Sequence, residues 1–483
     1  MENLEFILAF FFPLAFCFLF AFSKNAAGNN TKYFGFFGII SYVILWSWVF
    51  FNGNYNTDAE GLVFQSTQFS IIDFRFSINF EKSFFILLNL SLALFNFCWF
   101  WKTRTIHEKF YQFIFFILLF LSTGALLSEN IFSFLAFGEL GFFAVVLLIY
   151  SYGPKLHRND IFNIVAFSFV SFLCIVSPMV FILYKGDILL GNFSTSPAYI
   201  KNVLISINNE NKILGTLLIF FMSIGAFIKC SFFPFHNWTQ ISFLKLRKEL
   251  IFPIFGIILL LSFYYLSVFI GPLVQKLAPD LIWVFLILFS LGVIFNTVLF
   301  FQEKKENIYY YILRLFYIHL NFCGLGVFLY LGNNNYLIQS HLGINFFTFF
   351  TLISLISSKS RILPLKDALT GSQPMTEKAK NLFFLIFIAS YSGFPLLGFF
   401  NNEIIILYNL ISQDIILGTF LVFFSILPII KVLGKMTLFD INTHRNNVLY
   451  FEYFNLKFLT VVILLIVNLV FGLRPNLFMN YLN

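Results

Sequence analysis

The stretch "FMSIGAFIKCSFFPFHNW", residues 221–238, carries the reading of the whole chain. It continues an apolar run long enough to cross a bilayer, yet Lys229 stands inside that run, followed by Pro234 and His236. Proline lacks a backbone donor and crowds the preceding turn, so a helix through this stretch has to break. At membrane depth, backbone groups freed by a break need partners inside the protein or in a water-lined cavity. A cation and an imidazole beside such a break read as one station on a path for charge.

The composition around this stretch excludes a soluble globular protein. Hydrophobic residues make up 59% of 483, charged residues only 11%, and the mean hydropathy is +0.87. A helical span takes about 20 mostly apolar residues. On that length the sequence predicts fourteen spans, near 5–23, 33–51, 83–101, 110–127, 131–150, 161–184, 213–233, 250–270, 281–301, 308–331, 339–358, 382–411, 413–433 and 458–473. The fold expected is all-α and polytopic: one membrane domain over 1–483, with repeats at 110–270 and 281–433 and flanking helices in 1–101 and 458–483.

The basic residues test this count. Loops after odd-numbered spans, with Lys431 at the edge of span thirteen, hold 21 of the 30 Lys and Arg, and loops after even-numbered spans hold 6. Such asymmetry is the positive-inside pattern, which a miscount by one would scramble. The net charge of +8 is therefore a topology signal, and no basic run interleaved with exposed aromatics points to nucleic acid. Cys17, Cys98, Cys174, Cys230 and Cys323 are scattered through apolar spans without CxxC spacing, against a disulfide framework, a zinc site or an iron–sulfur site. "MENLEFILAFFF" at 1–12 reads as neither an Arg-rich transit peptide nor a basic-started signal peptide. Phe at 77 of 483 residues points to an AT-rich coding genome, such as an organelle's.

The 221–238 pattern has an echo. "YSGFPLLGFFNNEII", residues 391–405, also sets a proline, Pro395, near an isolated ionisable residue, Glu403, inside a long apolar run. Interrupted spans in corresponding positions of two halves are the mark of a transporter built from repeats. The connections 52–82, 185–212, 359–381 and 434–457 are the longest polar ones, and 185–212 reads as an ordered loop.

Ionisable residues inside spans are costly and hence functional by default. Glu139, in "NIFSFLAFGELGFFAVVLLIY", has too short a reach to snorkel from mid-span, and pairing with Lys229 would poise both groups. Arg314 lies about two turns into its span, where snorkelling accounts for it as well as function does. His319 and His341, on adjacent spans between the two breaks, read either as packing residues or as relay members. No nucleophile elbow, HExxH or phosphate-cradling glycine pattern competes with this reading.

These elements resemble the antiporter-like subunits of respiratory complex I. "FLAFGEL" with Glu139, "IKCSFFPFHNW" with Lys229, "IHLNFCGLGVF" with His319, "SHLGINFFTFF" with His341 and "FPLLGFFNNE" ending at Glu403 stand in the family's order and spacing. The closing "VFGLRPNLFMNYL" resembles the family's C-terminal element, and Glu rather than Lys at 403 resembles the subunit-four branch. The resemblance implies fourteen helices in two inverted five-helix repeats. It further implies a proton relay through Glu139, Lys229, His319, His341 and Glu403, coupled to quinone reduction elsewhere. It implies no cofactor or metal in this chain, with FMN and iron–sulfur clusters in other subunits. Its implied neighbours are the subunit-two-like and subunit-five-like homologues and lipids, in the mitochondrial inner membrane. A multisubunit cation/proton antiporter, or a structural subunit with a degraded path, is the alternative. One departure bears on that choice. The family usually carries a lysine in span eight, whereas "LIFPIFGIILLLSFYYLSVFIG" has neither Lys nor His. Tyr264 or Tyr265 with water bridges the gap, or the path is rerouted, or pumping is poor.

Overall fold

A computed structural model describes residues 2–22, 29–52, 76–100, 108–153, 158–190, 194–302, 308–329, 335–357, 377–395, 397–436 and 456–473. Among them the regular structure is all helical, apart from one isolated β-bridge between Phe76 and Ser128. Among the described residues ten helices are long and apolar enough to cross a membrane, and Glu5–Phe20, Tyr33–Val49 and Val461–Val470 are shorter apolar ones. With an interrupted pair, Glu377–Tyr391 and Phe400–Gln413, each of the fourteen expected spans has a helical counterpart. The expected basic segment 359–381 and the element at 470–482 lie largely outside the described residues.

The chain divides into two compact units, Met1–Trp283 and Val284–Asn483. The first holds α1 (Glu2–Phe22), α2 (Asn29–Asn52), α3 (Phe80–Trp99), α4 (Lys109–Leu127), α5 (Ile131–Tyr152), α6 (Arg158–Leu190), α7 (Pro197–Glu210), α8 (Lys212–Cys230) and α9 (Asn237–Lys245). A continuous helical span, Lys248–Leu277, follows; it contains α10 (Leu259–Tyr264) and α11 (Gly271–Leu277). In this unit α4 lies between α1 and α5, and α6 packs along α8. The second unit holds most of α12 (Asp280–Gln302), then α13 (Ile308–Phe328), α14 (Asn335–Ser357), α15 (Glu377–Tyr391), α16 (Phe400–Gln413), α17 (Ile415–Met436) and α18 (Leu456–Leu473). There α14 touches α13, α15, α16 and α18.

Helices that are apolar on every face are either enclosed by protein or bathed by lipid, and both kinds occur. The apolar window of α13 is 100% buried, whereas that of α17 is 22% buried and turns Phe420, Phe423 and Ile430 outward. Polar residues mark the helix starts. Asn79, Asn130 and Asn211 accept backbone N–H bonds at the N-termini of α3, α5 and α8. The stretch 185–212 departs from the expected loop. α6 runs on to Leu190, and Ser196 with Pro197 starts α7, which buries Ile200, Val203, Leu204 and Ile207 along one face. Span eight departs from a regular helix, since Pro253–Ile258 and Tyr265–Ile270 are π-helical turns on either side of α10.

One cation counted as a loop charge is internal. Lys82 is only 6% exposed. Its Nζ donates to Ser77 Oγ (2.7 Å), Ser77 O (3.2 Å) and Leu127 O (3.1 Å). Leu127 ends α4, so the ammonium sits on carbonyls that have no partner inside their helix, at the negative end of its dipole. Replacing Lys82 by Met keeps the stem and removes these bonds. The expected loss is about 2–3 kcal/mol, the scale of charge-assisted bonds left unmade, read as a lower unfolding temperature of the detergent-solubilised protein.

Candidate functional site

The first break lies where the sequence places it, but it opens three residues ahead of Pro234. α8 ends at Cys230, and Ser231 adopts a left-handed conformation at φ 60°. The Phe232 N–H reaches back to Phe227 O (3.1 Å), the closing bond of a left-handed helix cap. The chain passes through the cis Phe233–Pro234 bond and restarts as α9 at Asn237. Trp238 then donates its indole N–H to Ile228 O (2.9 Å), covering a carbonyl near the end of α8. His236 stacks on Phe233, with centroids 6.1 Å apart, and its carbonyl receives the Thr239 hydroxyl at 3.0 Å.

The break explains the lysine. Lys229 lies in the last turn of α8, where a helix dipole is negative, instead of in the middle of an unbroken span. Its Nζ forms an ion pair with Glu139 Oε1 of α5, as the sequence anticipates. Both side chains are mostly buried, at 12% and 16% exposure, so the pair is little screened by solvent.

The second unit repeats the construction. α15 ends at Tyr391, Gly393 adopts φ +80°, and the Phe394 N–H reaches Ala389 O (3.2 Å), the counterpart of the Phe232–Phe227 bond. α16 begins at Phe400, which puts Glu403 in its first turn, at the positive end of the dipole. A carboxylate at a helix start mirrors the ammonium at a helix end. Asn468 of α18 ties this break down, because its Oδ1 accepts from the Ser390 hydroxyl (2.7 Å) and from the Gly398 N–H (3.0 Å).

His319 of α13 meets Glu403 here. Its Nε2 lies 2.6 Å from Tyr391 O, and Nδ1 lies 2.9 Å from Glu403 Oε1. A carbonyl oxygen can only accept, so Nε2 carries hydrogen. Nδ1 then faces the carboxylate, and two lone pairs that close repel unless one proton lies on either partner. The oxygen sits off the nitrogen's hydrogen-bonding direction, so the contact is an ion pair in geometry more than a linear bond. The ring is held between Tyr391 and Phe399, at centroid distances of 4.9 and 4.0 Å. The His341 ring, 5.4 Å away, is fully buried, and neither nitrogen has a hydrogen-bond partner among the described residues. One ligand-type atom from each of His319, His341 and Glu403 falls within 4.8 Å of the others, a spacing at which they can share a small cation.

The five residues singled out from sequence thus gather as Glu139 with Lys229, and as His319, His341 and Glu403. Arg314 belongs to neither group and does not snorkel. It is 5% exposed, and Nη1 donates to Asn296 Oδ1 of α12 at 3.4 Å. Sequence reasoning missed Trp238, Asn468 and Tyr391. Trp238 and Asn468 act by capping backbone groups whose exposure only the broken geometry reveals, and Tyr391 acts through its carbonyl and through a ring whose stacking on His319 is a tertiary contact.

No family model and no curated protein matches the sequence. Solved structures do match in fold. A chain of respiratory complex I from Thermus thermophilus with bound NADH aligns over 99% of this chain and 96% of its own length, at TM-score 0.75 and 15% identity. A chain of the membrane-bound sulfane sulfur reductase, an archaeal respiratory membrane complex, aligns over the same fractions at TM-score 0.78 and 14% identity. A chain of the Mrp complex from Dietzia sp. aligns over 98% of this chain and 50% of its own, at TM-score 0.75 and 13% identity. At these identities the likeness is one of fold.

Gly393 is doubly constrained, since a Cβ there would stand 2.7 Å from Glu403 Oε2 on a backbone at positive φ. Gly393→Ala is expected to cost about 1–3 kcal/mol and lower the unfolding temperature. Ser231→Gly, at the matching position of the other break, is expected to leave that temperature unchanged or raise it.

Proposed function

We propose that this chain is a core membrane-arm subunit of a proton-pumping NADH:ubiquinone oxidoreductase, of the subunit-four branch, in the mitochondrial inner membrane. The observation that carries the reading is the repeated one: each unit breaks a helix at a left-handed residue and sets an ionisable pair beside the break. Oxidation of NADH and reduction of quinone belong to other chains, which hold FMN and the iron–sulfur clusters. Homologues of the subunit-two and subunit-five types, together with lipid, are the neighbours of this chain.

In this reading Glu139 and Lys229 form a switchable pair. While the carboxylate holds the ammonium, the lysine keeps its proton. When the pair opens, a desolvated ammonium loses the partner that favours its charged form and can release the proton. His319 and Glu403 hold a proton between them, and the uncommitted nitrogens of His341 take part in its hand-over. The basic-side asymmetry of the loops fits a single orientation in the membrane.

Likeness to the Mrp chain supports a cation/proton antiporter as the second reading, at the same TM-score of 0.75 as the complex I chain. The two separate on purification. A pumping-complex subunit copurifies with a flavin chromophore and with iron–sulfur signals in electron paramagnetic resonance, whereas an antiporter chain brings neither. The relay itself is tested with Glu139→Gln in sealed membrane vesicles. Proton translocation is expected to fall by at least about tenfold with assembly retained on native gels. Translocation at the wild-type rate would sink the relay and leave this chain a structural subunit.

A further inference from the structure

The span-eight stretch that lacks a lysine places a different polar group beside Lys229. Tyr265 opens the second π-helical turn, Tyr265–Ile270, and such turns are frequent at functional sites. The residue is 4% exposed, with its ring stacked on Phe134 at 5.6 Å and on Phe269 at 5.4 Å. Its hydroxyl is buried and has no hydrogen-bond partner among the described residues. An unmet hydroxyl at that depth is costly, so the site calls for a partner from outside the protein.

The hydroxyl does not stand alone. Tyr265, Ser262 and Lys229 line one cavity of about 30 Å³, walled elsewhere by apolar side chains such as Leu135, Ile175 and Ala226. Roughly 10–15 Å³ of such space holds one water, so the cavity accommodates two or three. The Lys229 ammonium has three N–H donors, and Glu139 takes one. On the Trp238 side of Lys229 the space is too small for a water molecule, whereas the cavity has room for one that meets a remaining donor. Ser262 donates to Ile258 O at 2.6 Å, which leaves its oxygen able to accept. Apolar cavities of this size stay dry, but three polar groups meet the two to four partners that a buried water needs.

We propose that Lys229, Ser262 and Tyr265 form a water-binding site that serves as the second partner of the lysine. The water accepts from Nζ and from the Tyr265 hydroxyl and donates to the Ser262 oxygen. When the carboxylate of Glu139 lets go, the ammonium turns to this water instead of standing bare in the membrane. Tyr265 is thus a positioning residue, acting through the water at the point where the resembling family usually keeps a lysine. The inference rests on the proton-relay reading.

The test uses the assembled membrane complex, imaged at a resolution that shows ordered water, as wild type and as Tyr265→Phe. In the wild type a water is expected about 2.7–3.2 Å from both Lys229 Nζ and Tyr265 Oη. Tyr265→Phe keeps the ring and is expected to lose that water. Its proton translocation should fall about fivefold to tenfold, the worth of one hydrogen bond. Tyr265→His, which restores a polar edge on an aromatic ring, should recover part of the loss, as a merely structural ring would not. A dry wild-type cavity overturns the inference even where the variant fails to assemble. So does a Tyr265→Phe complex that pumps at the wild-type rate while Glu139→Gln does not. Normal pumping in both variants removes the relay reading itself.

Discussion

A peptide group at membrane depth must be hydrogen-bonded within the protein or to enclosed water, and each interruption of a helix here has to meet that demand. Among the described residues two interruptions occur within the expected spans, after Cys230 and after Tyr391, and both are closed by a left-handed residue whose successor bonds back five residues. Side chains from outside the broken helix end take up one further backbone group at each, Trp238 the carbonyl of Ile228 and Asn468 the amide of Gly398. Once the backbone is satisfied in this way, the half-helix ends can face the protein interior with their partial charges unspent. That is what allows an ammonium and a carboxylate to lie in the membrane at bearable cost.

Lysine at a helix C-terminus is a recurring device in this chain, and comparing its uses separates structure from function. Lys82 gives its protons to carbonyl and hydroxyl oxygens around the end of α4, and Lys431 gives its own to Phe300 O and Phe301 O near the end of α12. The rings of Phe300, Phe301 and Tyr311 close around the second ammonium at 4.6 to 5.3 Å. In both cases the acceptors are mainly backbone, which cannot change its protonation. Lys229 differs because its partner is a carboxylate and its other side faces a cavity. Lys245, in the last turn of α9, also meets a carboxylate, Asp160 at 2.8 Å, but its side chain is 47% exposed, whereas Lys229 has a partner that can change state and is itself mostly buried.

The legible part of this design is the part written in residue type. Spans, prolines and isolated charges appear directly as hydropathy and spacing, so fourteen helical segments, both breaks and the Glu139–Lys229 pair follow from the chain alone. Lys82 was illegible because a lysine at the edge of a span looks like any loop charge until its carbonyl cage is seen. The helix α7 was hidden because its apolar positions 200, 203, 204 and 207 are too few to rise above a polar loop. The π-helical turns of span eight leave no mark in hydropathy at all. They concern how many residues complete a turn, not which residues they are.

The two charge stations are built for different motions. Lys229 has a four-carbon stem, one carboxylate partner and open space beside it, so its ammonium can change partners without a backbone shift. His319 has no such freedom. Tyr391 and Phe399 sandwich the ring, the Tyr391 carbonyl fixes one nitrogen, and Glu403 meets the other. A ring stacked on both faces and hydrogen-bonded at one nitrogen can pass charge only by moving a proton, whereas a free-swinging cation can carry it bodily. Under the proposed function, the first unit would gate by moving an ammonium and the second by moving a proton across a fixed pair. Packing suits this division, because the rings stacked on His319 resist rotation while the cavity beside Lys229 leaves the lysine room to turn.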